Sequence, residues 1–174
     1  MEERVGEIWH NFITRMADKS YPDAQVELAE IKKTIGIFFR ALGGDGSLNV
    51  AQTDESEYTS ERSFLKRIAR SSEKYEFAWI DENSLRLPSV IDYFPTKTLN
   101  KDLYLWLAAL ASIPEQSDSW IVDNQQRTKS ALSAFPGLNK LYQRLLDAHL
   151  EQRPELDKIS KAEQKTENMI LQAL

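Results

Sequence analysis

The sequence predicts a mainly α protein of the α+β kind: a helical domain with a small three-stranded antiparallel sheet and an extending C-terminal helix. Three observations carry this. Apolar residues recur at intervals of three and four through most of the chain, the spacing of one face of a helix. Strand-like patterning is confined to 48–51, 75–80 and 84–88. Leu103 to Ala111 is apolar almost all round, and a helix of that kind belongs at the centre of a core.

In chain order, the first helix spans 3–17, where Val5, Ile8, Trp9, Phe12, Ile13 and Met16 form one stripe. Pro22 and Asp23 suit the first turn of a second helix, since proline has no N–H to lose there. Its inner face is Leu28, Ile31, Ile35, Phe38 and Leu42, and Gly43-Gly44 ends it as a left-handed cap. Leu48 to Ala51 reads as a short strand and 52–60 as a polar, acidic loop. Ser60 can cap a third helix, 61–72, with Phe64, Leu65 and Ile68 inward. Residues 75–80 and 84–88, separated by Asp81-Glu82-Asn83, read as a hairpin that adds to 48–51. The connection Ile91-Asp92-Tyr93-Phe94-Pro95 spends two aromatics and a proline, which marks it as fixed against the body of the protein. The central helix follows, capped by Thr98 or Asn100 and stopping before Pro114. Further helices are expected over 118–134, 138–151 and 155–173. The stripe of 138–151 includes His149, and the stripe of the last helix is thin.

Composition sets limits on function. Of 174 residues 41% are hydrophobic, with four Trp, seven Phe and six Tyr, enough to fill a core. The net charge of -5 argues against a general binder of nucleic acid or anionic membrane. The absence of cysteine removes disulfides, thiolate metal sites and cysteine nucleophiles. The acidic N-terminus is unlike a signal peptide, and the longest apolar run is far short of the ~20 residues that span a bilayer. The expected location is the cytoplasm.

Catalytic motifs are missing: there is no Walker A loop, G-x-G-x-x-G, H-E-x-x-H or G-x-S-x-G. The Gly43-Gly44-Asp45-Gly46-Ser47 cluster follows a helix, whereas phosphate cradles precede one, so it reads as a cap and turn. Asp45, Ser47 and Asn49 have the opening spacing of a calcium loop. Val50 and Ser56 stand where that loop needs glycine and a bidentate glutamate. His10 and His149 fall on different predicted helices, and His149 reads as a satisfied, half-buried histidine. Trp9 and Trp106 read as core, while Trp79 and Trp120 are candidates for interface anchors. Arg62, Lys66 and Arg70 form a basic stripe opposite the apolar face of the third helix. Such a stripe is in its plainest form a solvated face, and in a functional form a dock for an acidic protein patch.

Several segments together resemble the N-terminal region of the CbbO/NorD family: VGEIWHNFITRMA, YPDAQVELAEIKKTIGIFFRALGGDGSL, RSFLKRIARS, LRLPSVIDYFPTKTLNKDLYLWLAALA and NQQRTKSALSAFPGLNKLYQRLLDAHLEQRP. The similarity covers roughly residues 5–154, with IDYFPTKTLNKDLYLWLA and FFRALGGDG its most specific parts. Members of this family are partners of MoxR-type AAA+ ATPases and carry a C-terminal von Willebrand factor A domain. The resemblance implies a non-catalytic adaptor that couples a hexameric ATPase ring to a client enzyme. The client is rubisco for CbbO, freed of inhibitory sugar phosphates by remodelling. For NorD the process is activation or assembly of nitric oxide reductase. The GGDGSL form favours CbbO. The family's D-x-S-x-S metal motif has no match: Asp54-Glu55-Ser56-Glu57-Tyr58 breaks at its last position. The resemblance therefore implies an adaptor domain over 1–152, and 153–174 as a trailing helix at the start of a linker.

No enzyme activity and no cofactor or metal are expected in this domain, and the expected partners are the ATPase ring and the client. Two surfaces are candidates for docking. One is the basic stripe of Arg62, Lys66 and Arg70. The other is the 91–102 connection, with Asp92, Tyr93, Phe94, Lys97 and Lys101. A different class of function, binding of a small ligand between the sheet and the central helix, is the alternative, and a hydrolase lacks any nucleophile-and-base pair at a suggestive spacing.

Overall fold

The computed structural model describes residues 20–52, 79–80, 83–114 and 120–153, together with separate positions between 155 and 168. The expected helices 3–17 and 61–72, the loop 53–60 and residues 75–78 lie outside the described residues. So do Trp9, His10, Arg62, Lys66 and Arg70.

The architecture is mainly helical with two small sheets. After a 3-10 turn at Pro22–Ala24 come strand β1 (Val26–Glu27) and helix α1 (Leu28–Ala41). Strands β2 (Asn49–Gln52), β3 (Trp79–Ile80), β4 (Ser84–Leu87) and β5 (Val90–Ile91) follow. Helices α2 (Lys97–Ala111), α3 (Trp120–Ala134) and α4 (Asn139–Gln152) complete the core.

α1 starts later than the proline signal suggested. Pro22 opens a 3-10 turn, and the chain then extends so that Val26 pairs with Ile91 and Glu27 with Val90, antiparallel. The helix buries Leu28, Ile31, Ile35, Gly36 and Phe39, at i, i+3, i+7, i+8 and i+11. Phe39 is thus the more deeply buried of the Phe38-Phe39 pair. The cap is as expected. Gly43 has φ +87°, its N–H donates to the Arg40 carbonyl at 3.0 Å, and the Gly44 N–H donates to the Phe39 carbonyl at 3.0 Å. This is the Schellman pattern, which satisfies carbonyls left over at the helix end.

The three-stranded sheet has the order β2-β4-β3 and is mixed, not antiparallel throughout. β3 and β4 form the expected antiparallel pair, with Trp79 opposite Arg86 and Ile80 opposite Leu85. β2 runs parallel to β4, Val50 opposite Leu85 and Gln52 opposite Leu87. β3 runs opposite to β2 and returns the chain, so that β4, which follows it as a hairpin partner, lies parallel to β2. Along β4 the pleat sends Leu85 and Leu87 inward and leaves Ser84 and Arg86 half-exposed.

α2 lies between two apolar clusters. Tyr104 and Ala108, one turn apart, face Leu28, Ile31, Ile35, Leu85 and Leu87. Trp106 and Ala109 project to the opposite side, toward Phe94, Ala131, Leu138, Leu141 and Leu145. Two residues along a helix turn it by ~200°, so the all-round apolarity of this segment is what two-sided packing requires. The rings of Trp106 and Tyr142 pack with centroids 4.9 Å apart, and burial pushes the Tyr142 hydroxyl pKa up. The Tyr104 hydroxyl donates to the Pro88 carbonyl at 2.8 Å, so its polar end is satisfied at 0% exposure.

The cap of α2 is Thr96, earlier than Thr98 or Asn100. Thr96 is extended, and its Oγ1 accepts from the Leu99 N–H at 3.3 Å. α3 is followed by a 3-10 turn at Pro136–Leu138, and α4 buries Leu141, Leu145 and Gln152. The last expected helix begins later than residue 155. Ser160 is not helical, whereas Lys161, Gln164, Lys165, Glu167 and Asn168 are.

Candidate protein-interaction surface

The connection from β5 to α2 is anchored at both ends, and its anchoring decides which side chains remain available. At its start, the Tyr21 N–H donates to the Asp92 carbonyl at 2.9 Å, and the Ser20 hydroxyl donates to the Asp92 carboxylate. At its end, Asn100 serves as an internal clamp. Its Oδ1 accepts from the Phe94 N–H at 2.8 Å, and its Nδ2 donates to the carbonyls of Ala24 at 2.8 Å and Phe94 at 2.9 Å. Asn100 is fully buried with both ends of its amide bonded, the condition under which burial of such a group is tolerated.

Between these anchors the aromatics point inward. Phe94 is 2% exposed and belongs to the cluster on the α4 side of α2. This corrects the expectation that it is part of an exposed docking edge: its ring is core. Tyr93 is half-buried, edge-on to Phe94 with ring centroids 4.8 Å apart. Its hydroxyl meets His149 Nδ1 at 2.9 Å. On the far side of that imidazole, Arg153 Nη1 lies 2.7 Å from Nε2. A guanidinium only donates, so Nε2 accepts, Nδ1 carries the proton, and Nδ1–H donates to the Tyr93 oxygen. A second proton on the ring would face the Arg153 N–H. Burial, then the Arg153 charge, hold the His149 pKa down to about 4, with Glu167 opposing. His149 is therefore the satisfied histidine expected from its stripe.

The residues left outward are Pro95, Thr96, Lys97, Thr98 and Lys101, all exposed. Lys97 and Lys101 are four apart and share one face of the first turns of α2. That first turn holds no acidic residue. Lysines at a helix N-terminus add to the positive end of the macrodipole instead of opposing it. The result is an exposed, locally electropositive edge on an overall acidic protein. Beside it runs an open depression lined by Ser20, Tyr21, Pro22, Asp23, Pro95 and Lys97. Of the five connection residues singled out in the sequence, the structure brings Lys97 and Lys101 together at the surface, half-buries Asp92 and Tyr93, and places Phe94 in the core. The clamp role of Asn100 was missed, because a single Asn in an apolar helix also reads as a cap.

The space between the sheet and α2, where a small ligand was the alternative, is filled by Leu85, Leu87, Tyr104 and Ala108. A second open depression lies instead between α1 and the sheet edge, lined by Leu28, Ala29, Lys32, Ala51, Gln52 and Arg86. Among the described residues, no three His, Asp or Glu side chains are grouped to hold a metal. Also among them, no helix is long and apolar enough to cross a membrane. The glycine cluster forms a turn, in which Asp45 Oδ1 accepts from the Ser47 N–H at 2.8 Å and its hydroxyl at 2.7 Å. Those bonds hold the Asp45 carboxyl below its ordinary pKa.

Along its whole length the chain is similar to part of proteins named NorD. It is 38% identical to Protein NorD of Stutzerimonas stutzeri over 174 residues and covers 28% of it. It is 35% identical to Protein NorD of Brucella suis over 187 aligned positions, covering 29%. An uncharacterized protein of Pseudomonas aeruginosa is also 38% identical, with 28% covered. The chain thus spans less than a third of the length of the curated relatives it matches. No family model matches the chain, and no solved structure matches it.

Proposed function

We propose that this chain is a NorD-type module: a non-catalytic adaptor domain that engages a MoxR-type AAA+ ATPase ring and serves the activation or assembly of nitric oxide reductase. The observation that carries this is the similarity of the entire chain, at 38% identity, to a protein named NorD. Rubisco activation, the client favoured from the GGDGSL form, gives way to the nitric oxide reductase reading. The named relatives fall on the NorD side of the resemblance.

The packing is consistent with an adaptor. Both faces of α2 are used up in the core, so the segment that carries the most specific resemblance acts as scaffold. What it offers outward is the Lys97–Lys101 edge, held in place by the Asn100 clamp and the β1–β5 pair. Such an edge suits an acidic patch on the ATPase, because complementary charge steers encounter and sets register. In this reading the domain works in the cytoplasm without a cofactor, and the 153–174 segment leads toward a von Willebrand factor A domain.

The test is a deletion of this module from a full-length NorD-type protein in a denitrifying host. Loss of nitric oxide reductase activity with reductase subunits still present at normal levels is the expected result. Full activity without the module would overturn the reading.

A further inference from the structure

The seam between α2 and α4 carries an ion pair beside its apolar contacts. Trp106 and Tyr142 pack there, ring on ring. One turn back along α2, Asp102 is 7% exposed, and its Oδ2 accepts from Arg144 Nε at 3.0 Å and from Arg144 Nη2 at 2.8 Å. The Arg144 side chain itself is 52% exposed. A pair so open to water adds little to stability. Its consequence is orientation. Two N–H groups of the guanidinium are aimed into the seam, and a rigid planar fork held along one edge has its other edges fixed as well.

Of the five N–H donors, both on Nη1 and the second on Nη2 are not used by Asp102. One from each nitrogen forms the outer edge of the fork, which can grip a carboxylate through two parallel hydrogen bonds. A lysine ammonium has no such edge and acts as a mobile point charge. The surroundings of Arg144 are cationic. Lys101, exposed, directly precedes Asp102 in α2, and Lys97 is exposed one turn earlier. Lys140 is exposed one turn before Arg144 on α4. Asp147 and Glu151, exposed one and two turns after Arg144, bound this region.

We propose that Arg144 is the anchor of the docking edge. Oriented by Asp102, it receives one carboxylate of an acidic segment on the ATPase ring, while Lys97, Lys101 and Lys140 draw that segment in. Complementary charge governs encounter, and a pre-oriented fork decides which carboxylate is accepted. Asp102 is a positioning residue that acts through Arg144. The inference rests on the proposed engagement of the ring by this surface.

Binding of the 174-residue chain to the MoxR-type ATPase tests it, with Arg144→Lys and Asp102→Ala beside the parent. Arg144→Lys keeps the charge and loses the fork. Asp102→Ala takes a negative charge away from a cationic edge, so attraction by net charge alone gives equal or tighter binding, whereas loss of orientation gives weaker binding. The expected result is binding about tenfold weaker or more for each variant, with the helical circular dichroism of the parent. The loss in Arg144→Lys should persist at raised salt, which screens the contribution of the lysines. Parental affinity in Arg144→Lys, or equal or tighter binding by a folded Asp102→Ala, overturns the anchor and leaves the lysine edge standing. If Asp102→Ala does not fold, Arg144→Lys decides alone. No binding by the parent in any nucleotide state overturns the engagement of the ring, and the anchor with it.

Discussion

The side-chain amide of Asn100 donates to the carbonyl of Ala24 at 2.8 Å, joining residues 76 positions apart. With its bonds to both backbone groups of Phe94, this fixes the β5–α2 connection to the segment that enters α1. The exposed lysines of the first turns of α2 inherit their position from that clamp.

Removing the clamp should therefore cost much more than one polar contact. Asn100→Ala leaves the Phe94 N–H and the Ala24 and Phe94 carbonyls without their buried partner, and each such group costs about 1–3 kcal/mol. Urea denaturation should show a loss of roughly 3 kcal/mol or more. Asn100→Asp keeps the acceptor for Phe94 but turns an oxygen toward two carbonyls, so it should be no better than the alanine variant.

The two glycines after α1 should differ in the opposite order from a simple reading of backbone strain. Gly43 has φ +87° but open space around it, so Gly43→Ala should cost about 1 kcal/mol. A Cβ on Gly44 would sit 2.4 Å from the ring of Phe39, which is 2% exposed and cannot swing away. Gly44→Ala should cost more, about 2–3 kcal/mol as an overpacked core does. Thermal denaturation of the two single variants checks the order.

Much of this was legible in the sequence, and the failures share a cause. The α1 stripe, its glycine cap and the two-sided α2 were readable because each is local: spacing, cap and apolarity are written within a few residues. Pro22 misled because β1 exists through its pairing with Ile91, a partner far along the chain. β2 reads as antiparallel for the same reason, since its direction relative to the sheet depends on which strand of the β3–β4 hairpin it joins, and it joins β4. Phe94 reads as exposed in the sequence because aromatic residues mark interfaces and cores alike, and only its neighbours decide. Glu167 gave no signal at all: a lone glutamate on a thin stripe looks like any solvated residue.

Acid should weaken the fold before its carboxylates titrate. His149 takes its proton near 6.5 when unfolded and near about 4 in the fold. The unfolded chain therefore binds the proton more tightly, and stability falls as pH drops. The contribution is complete above about 6.5, declines between 6.5 and 4, and loses nothing further below that. The total is on the order of 3 kcal/mol. Urea midpoints measured from pH 7.5 to 4.5 should show the decline, and His149→Gln should flatten it.

Charge reversal at the α2 edge should move stability and binding in opposite directions. Glu at positions 97 and 101 complements the helix dipole, so Lys97→Glu/Lys101→Glu should raise stability slightly, by up to about 0.5 kcal/mol. If the edge docks an acidic patch, the same change should weaken association about tenfold or more, and the loss should shrink with added salt.

The measurement that tests this account most directly is a binding titration of the chain against the MoxR-type AAA+ ATPase, with and without nucleotide, comparing the parent with Lys97→Glu/Lys101→Glu. The account predicts saturable binding by the parent, at fewer than one chain per ring subunit, and at least tenfold weaker binding by an equally folded variant. No binding by the parent in any nucleotide state would contradict it, and equal binding by the variant would remove the α2 edge as the docking surface.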